Sequence, residues 1–78
     1  LQEAQRMVTD GHYKLFFIPA SKDAYLFDLE KDPQETNNLF GSPQYKRIVK
    51  RLCAEYQKLS KESGDTFNLA AIYPELFQ

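Results

Sequence analysis

Arg6-Met7-Val8-Thr9-Asp10-Gly11-His12-Tyr13-Lys14-Leu15-Phe16-Phe17-Ile18 is the stretch whose reading decides the fold. Two runs with the composition of strands flank Asp10-Gly11, a dipeptide that suits a type I′ turn because both central residues need φ > 0. The stretch predicts an antiparallel hairpin with strands over about 4–9 and 13–18. Pro19 has no N–H to offer a ladder and ends the second strand, and Ala20 to Asp23 form a polar loop. Ala24-Tyr25-Leu26-Phe27-Asp28-Leu29 then read as a third strand over about 24–29. Connections this short favour antiparallel neighbours, since a parallel pair needs a crossover of a dozen or more residues.

Strand side chains alternate between faces, so Tyr13, Leu15 and Phe17 share one face and Lys14, Phe16 and Ile18 the other. In the third strand Tyr25, Phe27 and Leu29 fall on one side and Ala24, Leu26 and Asp28 on the other. Both faces are mostly apolar, whereas a sheet with one solvated face alternates cleanly. Each face therefore needs a cover.

One cover is a helix over about 43–62. Ser42 is expected as its N-cap, Pro43 as its first residue, and Gly64 as its left-handed C-cap. Tyr45, Ile48, Val49, Leu52, Tyr56 and Leu59 recur at the spacing of one helical face. A single apolar stripe covers one sheet face, leaving the second for the tail or for a partner. Between strand and helix, Asp32-Pro33-Gln34-Glu35 reads as a short helical turn, with Asp32 as cap and Glu35 reaching back to free N–H groups. Asn37 and Asn38 read as turn residues that tolerate left-handed backbone. The segment 65–78 reads as a packed tail with a short helical or strand element. The expected fold class is α+β: a small antiparallel sheet of three to four strands with one long amphipathic helix packed on one face.

Composition bounds the function. A chain of 78 residues is one domain at most, and a domain that small buries only about 60% of its unfolded surface. With 42% hydrophobic and 27% charged residues it has the balance of a folded protein. A net charge of −1 gives the whole chain no pull toward nucleic acid or anionic membrane. No apolar run approaches the roughly 20 residues of a membrane span, and residues 1–20 lack the order of a signal peptide. The lone Cys53 cannot form an internal disulfide, which leaves the compartment open. A start at Leu1, beside an expected strand, points to a piece of a longer chain.

The run from Arg6 to Leu15, and then Tyr25-Leu26-Phe27-Asp28-Leu29-Glu30-Lys31-Asp32-Pro33-Gln34-Glu35-Thr36-Asn37-Asn38-Leu39, resembles the C-terminal signature of the formylglycine-dependent sulfatases. Arg6, Tyr13, Lys14, Asp28, Asp32, Pro33, Glu35, Asn38 and Leu39 carry the motif, and the resemblance extends over about residues 6–62. Phe27 stands where that family most often has Tyr, an exchange a core strand tolerates. The resemblance implies a C-terminal structural subdomain of a parent that hydrolyses sulfate esters with a formylglycine and a divalent cation, usually calcium. It also implies the parent's catalytic domain as partner, and sulfatases of this type are often exported.

No cofactor is expected in this piece itself. Formylglycine formation needs Cys-x-Pro-x-Arg or Cys-x-Ala-x-Arg, and Cys53 is followed by Ala54-Glu55-Tyr56-Gln57. A buried small hydrophobe is the expected role of Cys53. His12 has no His or Cys at ligand spacing and reads as a solvent-facing turn residue. The functional alternative is that the turn from Asp10 to Lys14 projects toward the parent's active-site mouth, where His12 or Lys14 touches an anionic substrate. Asp28, Glu30, Asp32 and Glu35 lack the spacing of a calcium loop and read as caps. Lys46, Arg47, Lys50, Arg51, Lys58 and Lys61 lie mainly opposite the apolar stripe, as on any solvated helix face. Two competing classes remain: an independent protein- or carbohydrate-binding module using the aromatic sheet face, and a nucleic-acid binder using the basic helix. Neither nucleic acid nor membrane is the expected partner, and the isolated piece is expected to self-associate through its apolar face.

Overall fold

The structure, a computed structural model, describes residues 6–65 and 68–77. Three strands, β1 (Arg6–Thr9), β2 (Tyr13–Ile18) and β3 (Asp23–Asp28), form an antiparallel sheet in the order β1-β2-β3. The expected start of the first strand, residues 4–5, lies outside the described residues. A 3₁₀ turn (Pro43–Tyr45) leads into α1 (Lys46–Ser63), and α2 (Leu69–Ile72) is a single turn in the tail. The fold is α+β, as expected.

Register assigns the faces. Val8 lies opposite Leu15, and Leu15 opposite Leu26, so these three share a face with Phe17. Leu15, Phe17 and Leu26 have no exposed surface. Above them α1 buries Val49, Leu52, Cys53 and Tyr56, and the tail adds Leu69 and Tyr73 to the same cluster. Burying each large apolar side chain contributes roughly 1.5–3 kcal/mol. The Phe17 ring lies 5.0 Å from Tyr73, 5.9 Å from Tyr56 and 6.0 Å from Phe77, so helix and tail meet over one side chain. Tyr73 Oη also donates to the Asp23 carbonyl at 2.7 Å, tying the tail to the start of β3. The tail thus joins the helix side and leaves the second face as it was.

That second face carries Met7, Phe16, Ile18, Tyr25 and Phe27, none of which belongs to the core cluster. Its rings cover one another: Phe16 and Tyr25 lie 6.2 Å apart and Tyr25 stacks on Phe27 at 6.1 Å. Phe27 is buried and Phe16, Ile18 and Tyr25 are half-buried, while Met7 is 53% exposed.

Several local expectations need correction. The hairpin turns about Gly11-His12, with Asp10 and Tyr13 paired outside it, and only Gly11 has positive φ (+92°). That is the II′ pattern, in which glycine sits first, one residue later than a type I′ turn on Asp10-Gly11. Ser42 makes no side-chain cap; its carbonyl accepts the Tyr45 N–H at 3.0 Å, and the tighter 3₁₀ turn serves the helix start instead. Leu59 is 47% exposed, because at 3.6 residues per turn it lies about 70° from the centre of the buried group; Cys53 takes the interior place. Gly64 does close α1 in the left-handed region (φ 77°), and Asp65 N–H reaches back to the Ser60 carbonyl at 3.0 Å.

Replacing Leu52, fully buried, with Ala is expected to cost about 2–5 kcal/mol in urea unfolding, whereas Leu59→Ala should stay within about 0.5 kcal/mol. Equal effects would contradict the placement of the stripe.

Candidate functional site

The tip of the β1–β2 hairpin and the two loops around it hold most of the polar residues singled out from sequence. Asp10 builds the tip. Its Oδ1 accepts the N–H groups of His12 (2.9 Å) and Tyr13 (2.7 Å), and its Oδ2 accepts from Arg51 of α1 at 2.8 Å. Thr9 adds two bonds, accepting the Gly11 N–H and donating to the Tyr13 carbonyl. The Tyr13 N–H chiefly, with the His12 N–H and the Arg51 guanidinium, holds the Asp10 carboxyl down at about 2 against the opposing effect of burial. The hairpin is thereby fastened to the helix by one carboxylate.

His12 is not a lone turn residue. Its ring stacks on Tyr13 (4.1 Å between centroids), its Nε2 lies 3.1 Å from Asp28 Oδ1, and its Nδ1 lies 3.8 Å from Glu30 Oε2. Its backbone carbonyl also accepts the Leu29 N–H at 2.7 Å. The antiparallel register sets Tyr13 opposite Asp28 and so brings a residue 16 positions away beside the imidazole, which the reading of His12 as a solvent-facing turn residue does not anticipate. Asp28 is buried, and its Oδ1 accepts the N–H groups of Glu30 and Lys31 as well. Burial opposes its charge, but the N–H groups of Lys31 and Glu30 and the nearby imidazole outweigh it and lower its pKa.

On the other sheet face, Lys14 Nζ contacts both Glu35 oxygens, at 3.0 and 3.3 Å, and lies 5.7 Å from the centroid of the Phe16 ring. Glu35 therefore does not reach back to cap its own turn. It takes positive φ (57°), the role expected of Asn37 or Asn38, and this turns its carboxylate toward Lys14. Asp32 caps the loop alone, accepting the N–H groups of Thr36 and Asn37 and the Thr36 hydroxyl, which lowers its pKa. No helical turn forms at Pro33; the residues from Asp32 to Glu35 make a plain turn closed by a 3.0 Å bond from the Glu35 N–H to the Asp32 carbonyl.

Asn38 and Leu39 do what sequence reasoning did not foresee. Asn38 Oδ1 accepts the Leu26 N–H and the Phe40 N–H, both at 2.9 Å, and the Leu39 N–H donates to the Leu26 carbonyl at 2.8 Å. Together they fill the outer edge of β3, which would otherwise present unpaired backbone groups. At the far side of the sheet Arg6 Nε lies 3.3 Å from Asp65, linking β1 to the end of α1. An Asp-Pro segment followed by Asn-Leu after a strand was the available signal for such an edge brace.

A formylglycine and a divalent cation do not fit the residues present. Cys53 is 1% exposed within the core, and burial pushes its thiol up to about 12. Among the described residues no three His, Cys, Asp or Glu side chains are grouped to hold a metal. Nor does any helix there have the length and apolarity to cross a membrane. Of the carboxylates around His12, Asp10 and Asp28 accept backbone N–H groups and so fix the geometry of the turns.

A helix laid on one face of a three-stranded sheet whose outer edge is closed by an Asn-Leu bracket defines a small two-layer α+β domain. The chain belongs to the family described as N-sulphoglucosamine sulphohydrolase, C-terminal, which matches residues 2–62. It is also similar to an uncharacterized protein of Haemophilus influenzae, 39% identical over 61 residues that make up 78% of this chain. The chain spans 31% of that relative's length.

Removing the Asp10 carboxylate (Asp10→Ala) is expected to cost about 1 kcal/mol at pH 7, read by denaturation, since it removes solvent-screened charge-assisted bonds at the turn. The folded carboxyl titrates near 2 and the unfolded one near 3.9, so this stabilisation is complete above about pH 4 and is lost as pH falls toward 2. The variant should lack that component of acid sensitivity. Cys53 is expected to react with a thiol reagent at least a hundredfold more slowly in the native chain than in urea, and equal rates would place it at the surface.

Proposed function

We propose that this chain is a non-catalytic C-terminal structural subdomain of a sulfuric ester hydrolase, and that its second sheet face docks on the catalytic part of the same protein. The observation that carries this reading is the face of Met7, Phe16, Ile18, Tyr25 and Phe27, which neither α1 nor the tail covers. Apart from the Lys14–Glu35 pair that crosses it, this face is apolar, and a surface of this kind marks an interface. Family membership over residues 2–62 and the 31% share of the relative's length support a larger protein whose other parts supply the chemistry. Those parts would provide the formylglycine and the calcium or similar divalent cation that the residues here do not accommodate.

The hairpin tip is the part of the domain that would face the substrate. Held by Asp10 and Arg51, and clamped to the following turn by the His12–Asp28 bond, it has little freedom. Asp28 holds Nε2, so the edge of the 39% exposed imidazole that would meet an anionic group is Nδ1, 3.8 Å from the exposed Glu30. Lys14, on the opposite sheet face and paired with Glu35, is the second residue of the hairpin that would meet such a group. These are binding roles, since the tip carries no nucleophile.

The test is hydrolysis of a small aryl sulfate by the full-length protein. Turnover is expected, and its absence with intact formylglycine would overturn the sulfatase reading. Phe16→Glu should lower soluble yield or activity at least tenfold, and an unaffected enzyme would show that this face is not buried. His12→Ala should raise KM about threefold or more with kcat nearly constant; an unchanged KM would remove the substrate contact. Saturable glycan binding lost with Phe16→Glu while hydrolysis is unaffected would favour an independent binding module instead.

A further inference from the structure

We infer that the Asp10-Gly11 peptide is a site of spontaneous isoaspartate formation, and that the folded hairpin holds it closed through a clasp made by Thr9 and Arg51. The inference is independent of the sulfatase reading. In this reaction the Gly11 nitrogen attacks Cγ of the Asp10 side chain. A C–N bond forms, a carboxyl C–O bond breaks, and the departing hydroxyl leaves with the amide proton as water. The product is a cyclic imide. Water then adds to either ring carbonyl, which gives back aspartate or leaves the main chain routed through Cβ and Cγ as isoaspartate. Nothing is oxidised or reduced, and water is the only other reactant.

The sequence singles out this peptide. A side chain on the following residue shields the attacking nitrogen, and Gly11 has none, whereas every other Asp or Asn of the chain precedes a residue with a Cβ. Burial gives no protection either. Asp10 and Gly11 are both exposed, and no atom lies within 4 Å of where a Cβ on Gly11 would stand. Space and water are both at hand at the tip.

What restrains the reaction is hydrogen bonding at both reacting groups. The Gly11 N–H donates to Thr9 Oγ1 at 3.1 Å, and the Thr9 hydroxyl is fixed in turn by its 2.9 Å bond to the Tyr13 carbonyl. The carboxylate is tied at both oxygens, Oδ1 by the N–H groups of His12 and Tyr13 and Oδ2 by Arg51. Turning the face of the carboxyl carbon onto the Gly11 nitrogen rotates both oxygens away from these donors. The same bonds keep the carboxyl ionised. It is held down at about 2 against about 3.9 unfolded, so at neutral pH the protonated form that can lose water is on the order of a hundredfold rarer than in an unfolded chain.

The clasp couples this chemistry to packing. Arg51 comes from α1, 41 positions along the chain, so the tip is guarded while hairpin and helix are seated on each other and is released by local opening. Isoaspartate lengthens the main chain by a methylene and moves the free carboxylate to the α-carbon, away from the His12 and Tyr13 N–H groups. The reaction therefore undoes the turn that sets His12 beside Asp28.

The test incubates the 78-residue chain and a synthetic peptide of its residues 6–15 at neutral pH and one temperature, and measures isoaspartate at position 10 by electron-transfer fragmentation in a mass spectrometer. The peptide is expected to convert at least tenfold faster than the folded chain. Thr9→Val and Arg51→Gln, each checked by circular dichroism, should raise the rate in the chain about threefold or more, and Thr9→Val in the peptide should leave it unchanged. Ile72→Ala, which trims the margin of the core on the tail, should stay within about twofold of the unaltered chain. Absence of isoaspartate in the peptide, equal rates in peptide and chain, clasp variants no faster than the unaltered chain, or an equal rise with Ile72→Ala would each overturn the inference.

Discussion

Leu15, Phe17 and Leu26 at the centre of the sheet have no surface left to water, and everything else in the domain is arranged around keeping them so. The helix achieves this with four buried side chains, Val49, Leu52, Cys53 and Tyr56, on one face of an 18-residue cylinder. One cylinder shields one side of a sheet. The tail, which could have crossed to the other side, instead joins the same core through Leu69 and Tyr73. The domain is therefore two layers deep with an apolar outer sheet surface, a consequence of how many elements there are and where they pack.

Polar groups in this domain restrain edges and turns. Asp10 joins hairpin to helix, Asp28 joins the His12 ring to the next turn, and Asp32 closes the following loop. Asn38 ends the series by occupying the edge of β3. Each replaces a hydrogen bond to water with one to the backbone, worth about 1 kcal/mol net but costly to leave unmade. A small domain, which buries little area, depends on such restraints more than a large one. Asp28, Asp32 and Asn38 of the signature thus act as braces, each placed where backbone N–H groups would otherwise be unpaired.

Elements with a strong period were legible from sequence. The three strands and the helix stand close to where alternation, Gly11, Pro43 and Gly64 put them, with the third strand beginning at Asp23. The family was legible from the Asp-Pro to Asn-Leu run. What could not be read depended on groups distant along the chain. His12 meets Asp28 through strand register, Glu35 meets Lys14 across the sheet, and Asn38 serves Leu26 from 12 positions away. Local pattern treats each as a turn residue because it sees only neighbours. The hairpin turns one position later than Asp10-Gly11 implies, since that dipeptide signals a turn without saying which of its residues is central. Spacing puts Leu59 in the stripe, although its angular position lies at the margin.

The second sheet face connects this architecture to function, because it leaves Met7 exposed beside the half-buried rings of Phe16 and Tyr25, with no further element over them among the described residues. Met7 is the chain's one methionine and lies within that face, so its oxidation by hydrogen peroxide reports directly on whether the face is occupied. Measured by mass spectrometry, Met7 should oxidise freely in the isolated 78-residue chain and at least tenfold more slowly in the full-length protein. Equal rates in the two would contradict the docking of this face.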